Sequence, residues 1–128
     1  MMREKPKSMP HNLINAAMLV VVAGLGFSQA QASFLTGNDL MEWCDSEATV
    51  DWCSAYVMGV ADVTDQKILN ETGDGCFPQN ASGDQVRKVV TKWMDDNPQY
   101  LHMGADILVH NAIVEGFTCE GANLWVLD

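Results

Sequence analysis

Positive charge is scarce in this chain once residues 1–32 are set aside: Lys67, Arg87, Lys88 and Lys92 stand against sixteen carboxylates, a net charge of −12. So negative a surface repels phosphates and anionic headgroups, which argues against nucleic-acid and membrane partners and for a basic protein partner. Three reactive signatures are also missing. Serine hydrolase chemistry lacks its GxSxG turn, zinc protease chemistry lacks HExxH, and phosphate binding lacks a glycine-rich loop at a helix start. No two cysteines have CxxC spacing, so a zinc site is disfavoured, and neither a metal nor a cofactor is expected. Beyond the first 32 residues no apolar stretch is long enough to span a bilayer.

That first segment has a pattern of its own. Arg3, Lys5 and Lys7 precede an apolar run over residues 13–27, and small residues up to Ala30-Gln31-Ala32 follow it. This is the layout of a secretory signal peptide, and cleavage is expected after Ala32. An uncleaved anchor is the rival reading, but Asn15 and Gly24 interrupt the run and it is shorter than the roughly 20 residues a span requires. Residues 33–128 then form one domain with one core, exported to an oxidising compartment, the periplasm. Four cysteines in so short an exported chain, Cys44, Cys53, Cys76 and Cys119, favour two disulfides.

The apolar spacing predicts an all-α bundle of about four helices. Thr36-Gly37-Asn38-Asp39 opens a short helix carrying Leu40, Trp43 and Cys44. After Asp45-Ser46-Glu47, a longer helix is marked by Val50, Cys53, Val57, Val60, Ala61 and Thr64. Gly59 lies inside it, where glycine costs about 1 kcal/mol relative to alanine, so a close approach by a second backbone or by Trp93 is expected there. Residues 65–81, polar and glycine-rich, are read as a long loop. Ser82-Gly83-Asp84-Gln85 is a capping box, and the stripe Val86, Val89, Val90, Trp93, Met94 marks a third helix that Asn97-Pro98 stops. The fourth is expected to begin near residues 100–104, to carry Leu101, Ala105, Leu108 and Ala112, and to end within residues 116–119.

A short link forces the third and fourth helices antiparallel, which brings the end of the fourth beside the start of the third. Cys76 is therefore expected to pair with Cys119, and Cys44 with Cys53, across two adjacent helix ends. His102, Asp106 and His110, spaced four apart, are the one stripe that suggests a metal or a catalytic group. Three ligands on a single helix bind weakly, and a solvated polar stripe is the preferred reading. Asp95-Asp96 and the remaining carboxylates are read as solvated helix surface.

Phe34-Leu35-Thr36-Gly37-Asn38-Asp39-Leu40 ahead of Trp43-Cys44, and residues 52–62 from Trp52-Cys53 to Ala61-Asp62, resemble the first two blocks of the Rap/Tai immunity family of type VI secretion systems. Cys76-Phe77-Pro78, Gln85-Val86, Val89-Val90, Asn97-Pro98, Leu101-His102 and Phe117-Thr118-Cys119 are similar to the rest. The chain departs from that pattern at Met103-Gly104 and in the tail beyond Cys119, with its apolar Leu124-Trp125-Val126-Leu127. The resemblance implies a helical, often homodimeric periplasmic protein that binds a peptidoglycan amidase effector, blocks its active site and does no chemistry itself. For such a role Glu71, Asp74 and Asn80, in the polar segment before the third helix, are the partner-binding residues expected. The alternative is a stand-alone periplasmic helical stress or envelope protein, acid-chaperone-like, without a toxin partner. Its carboxylates would lose their charge at low pH.

Overall fold

The computed structural model describes residues 33–125 and 127; the signal peptide expected over residues 1–32 lies outside the described residues. Four helices follow one another: α1 Gly37–Asp45, α2 Val50–Thr72, α3 Gly83–Asp96 and α4 Ala105–Gly116, with a single 3-10 turn, Pro98–Tyr100, between the last two. Among the described residues there is no strand, so the fold is a small all-α bundle. None of the described helices is long and apolar enough to cross a membrane.

Local chemistry starts two of the helices. Thr36 Oγ1 accepts the Asp39 N–H at 3.3 Å while the Asp39 carboxylate accepts the Thr36 N–H at 2.9 Å, which satisfies orphan donors at the start of α1. Ser82 and Gln85 make the same reciprocal pair at the start of α3, at 3.3 and 2.8 Å. Gly73, in the left-handed conformation at φ 85°, ends α2 by donating its N–H to the Leu69 carbonyl.

α4 is the axis of the bundle. Its residues from Leu108 to Val114 are all buried, and α1, α2 and α3 each pack against it. Leu40 from α1, Cys53, Val57 and Ala61 from α2, and Val86, Val90 and Met94 from α3 close the core around Leu108, Ala112 and Ile113. α3 approaches α4 so closely that a Cβ at Gly116 would overlap the Val89 side chain. At the other end, the Gly37 and Asn38 N–H groups donate to the Met103 and Leu101 carbonyls, and the Ala105 N–H donates to Leu35, fixing the entry of α1 to the start of α4.

Two disulfides, Cys44–Cys53 and Cys76–Cys119, have Cα separations of 5.1 and 5.0 Å. An edge-to-face aromatic pair lies near each: Trp43 with Trp52, ring centres 5.8 Å apart, and Phe77 with Phe117 at 5.0 Å.

Three sequence expectations need correction. Residues 65–81 are not one loop, because α2 continues to Thr72. Its last two turns bury Ile68 on the same face as Ala61 and Thr64, and Gln66–Asn70 and Lys67–Glu71 pairs four residues apart support the exposed side. α4 begins at Ala105 with Gly104 as its cap, at the end of the expected range, but Leu101 is not part of it and instead closes the separate 3-10 turn Pro98–Tyr100. Gly59 meets neither a backbone nor Trp93, and a Cβ built there has nothing within 4 Å.

Candidate partner-binding surface

The connection between α2 and α3, residues 73–82, is held at its middle by two anchors. The Asp65 carboxylate, reaching out from α2, accepts the Cys76 N–H at 2.6 Å, and Cys76 is bonded to Cys119 just past the end of α4. Thr72 adds a local clamp: its hydroxyl donates to the Asp74 carbonyl at 2.9 Å and accepts the Asp74 N–H at 3.2 Å. The connection is thus fixed at both the helix end and the disulfide, and its exposed side chains project from a rigid frame.

Glu71, Asp74 and Asn80 are all exposed, yet they do not share one hollow. Glu71, on the last turn of α2, is ion-paired with Lys67 and borders a shallow depression with Asp62, Val63, Gln66 and Asn70. Asp74 borders a second, with Gly75, Thr118 and Glu120 beside the Cys76–Cys119 bridge. Asn80 borders a third, with Pro78, Gln85, Val89 and Phe117. Three neighbours in sequence therefore present three adjacent faces.

In the sequence pattern Trp52, Tyr56 and Val63 widen the apolar, core-facing side of α2, yet Trp52 and Val63 stand on its exposed outer face. Trp52, Tyr56, Gly59, Val63, Gln66 and Asn70 follow at alternating four- and three-residue steps, the spacing of a helix–helix seam. Trp52 is 59% exposed and Val63 68%, and the whole stripe carries no charge at neutral pH, on a molecule otherwise crowded with carboxylates.

The stripe His102, Asp106, His110 is not one helical face. His102 is exposed on the turn before α4, and His110 is buried and bonded to Thr64 and to the backbone of Asn123. Among the described residues no group of three histidine, cysteine or carboxylate side chains is placed to hold a metal ion. Asp106, in the first turn of α4, has one buried carboxylate oxygen without a hydrogen-bond partner. Burial raises the pKa of the Tyr56 hydroxyl, and the Asp106 charge raises it further.

Residues 36–119, from the cap of α1 to the last cysteine, match the family model of Rap1a immunity proteins. The chain belongs to this family. Membership covers all four helices and both disulfides, and leaves the tail beyond Cys119 outside the matched region. No curated protein and no solved structure shows significant similarity to the chain. In this Rap1a-family chain the features available for recognition are surfaces: an anchored polar connection, a neutral seam on α2, and the edges between them.

Proposed function

We propose that this chain is a periplasmic immunity protein that binds and occludes a type VI secreted peptidoglycan amidase, and so protects the cell wall, without catalysing a reaction itself. The observation that carries the reading is the family match over residues 36–119. The basic-then-apolar opening and the two disulfides support export, with residues 1–32 as the removable leader. The acidic surface suits a basic enzyme, and an anchored connection presenting Asp74 and Asn80, beside Glu71 at the end of α2, loses little freedom when it enters a cleft.

A homodimer fits the same reading. Two copies of a strongly acidic protein approach most favourably through an uncharged strip, which the outer face of α2 supplies, with Gly59 letting the helices come close.

The test is co-expression, in the periplasm of a sensitive host, with a type VI amidase effector, taken from beside this gene if one is encoded there. Survival of the host, a stable complex on gel filtration and loss of peptidoglycan hydrolysis are expected. Lysis undiminished by this chain, with no complex formed, would refute the reading.

A further inference from the structure

The tail beyond Cys119 returns along α4 and is held there by two buried polar residues. The Asn111 side chain donates to the Trp125 carbonyl at 3.0 Å and accepts the Trp125 N–H at 2.8 Å, so one amide mimics a pair of backbone bonds. Its neighbour His110 stacks on the Trp125 ring, centres 4.1 Å apart and planes 11° from parallel. One ring nitrogen, Nε2, lies 3.1 Å from the Asn123 carbonyl, which accepts only, so Nε2 carries the proton. Nδ1 is then the acceptor for the Thr64 hydroxyl at 3.3 Å. Further along, Leu127 packs against the core.

We propose that this tail is a proton-operated latch: protonation of His110 releases Asn123 and Trp125 from α4, while the four-helix bundle and its disulfides stay intact. The latched ring is 1% exposed, and a second proton would place an imidazolium between Thr64, a neutral carbonyl and an indole, with no carboxylate bonded to it. The charged groups that act on it are both on α2, Lys67 and Glu71, and they are ion-paired with each other. On α4 itself Asp106 lies one turn before the ring, and the turn after it carries no charge. The tail faces the ring with a backbone carbonyl and an aromatic surface. Opening the tail lets water solvate the imidazolium, which removes the penalty of burying it.

The direction of the effect follows. Burial holds the latched ring below the ordinary histidine range, Lys67 acts in the same sense, and the Asn123 carbonyl and Glu71 oppose it. The open ring binds its proton more readily than the latched one. Latch stability is therefore full above the ordinary histidine range and is lost as pH falls through that range toward the latched value. The tail lies outside the family match, so the inference stands independently of the immunity reading.

The experiment is NMR of the full chain from about pH 8 to about pH 4, a range that brackets histidine titration. The His110 ring, the Trp125 indole N–H and the Asn111 side-chain amide are expected to move with one midpoint below the ordinary histidine value, while the Val90 amide in the core stays still. Trp125→Ala, which removes the stacked lid, should shift the His110 midpoint upward, and His110→Gln should abolish the movement of Trp125. A His110 ring that titrates without Trp125, a Val90 amide that moves at the same midpoint, or a midpoint unchanged by Trp125→Ala would each overturn the latch.

Discussion

The Asp65 carboxylate on α2 accepts the backbone N–H of Cys76 at 2.6 Å, eleven residues further along the chain, and so fixes the connection to α3 at the point where the second disulfide leaves it. Asp65→Ala strands a half-buried N–H and is expected to cost about 1–3 kcal/mol in chemical denaturation. Asp65→Asn keeps an acceptor and should recover most of the loss. Equal stability of the alanine variant and the parent would remove this anchor from the account.

Gly59 sits in the middle of α2 with open space where a side chain would stand. Gly59→Ala should stabilise the monomer by about 0.5–1 kcal/mol through helix propensity alone. Gly59→Arg should leave the fold unchanged and, if two copies meet along this seam, halve the mass seen in sedimentation equilibrium. A dimer that survives the arginine places the contact between copies elsewhere.

Close packing decides the opposite result at Gly116. A Cβ there overlaps Val89, so Gly116→Ala should destabilise by about 1–3 kcal/mol as α3 and α4 are forced apart. Val89→Ala in the same chain should return part of that loss, and a double-mutant cycle with no coupling would contradict the observed approach.

The disulfides should differ in weight. Cys44–Cys53 spans nine residues and Cys76–Cys119 spans 43, and in the chain-entropy view the closures are worth about 3 and about 4 kcal/mol respectively. Replacing both Cys76 and Cys119 by alanine should therefore lower the thermal midpoint more than replacing Cys44 and Cys53. The reverse order would mean that local packing around Trp43 and Trp52 outweighs chain entropy.

Asp39 is a gauge of the first capping box. Hydrogen bonds from the Thr36 hydroxyl and N–H hold its carboxyl below the usual aspartate range. The stabilisation is present above the ordinary aspartate value and is lost as pH falls through the lowered one. Thr36→Val, followed by carboxyl-carbon NMR, should move the Asp39 midpoint up; no movement would mean that the hydroxyl bond contributes nothing.

Much of the architecture was legible because its signals are local. Thr36 with Asp39 and Ser82 with Gln85 announce helix starts within four residues, and Val86, Val90 and Met94 declare the buried face of α3. The end of α2 was not legible, because in residues 66–72 the apolar residues alone suggest no helix: Ile68 is buried and Leu69 faces outward. Gly59 misled because a glycine in a helix interior suggests a close neighbour, and none stands within 4 Å of a Cβ there. His110 was read as part of a polar stripe, since its true partners, Thr64 and Asn123, lie 46 and 13 residues away and meet only in the fold.

The bond between Cys119 and Cys76 gives the tail a short leash. Trp125 lies six residues past the crosslink, so its Cα, once freed, wanders no further than about 20 Å from that of Cys119. Recapture is then a search within one molecule, at an effective concentration set by that tether, and its rate should be the same in dilute and concentrated protein.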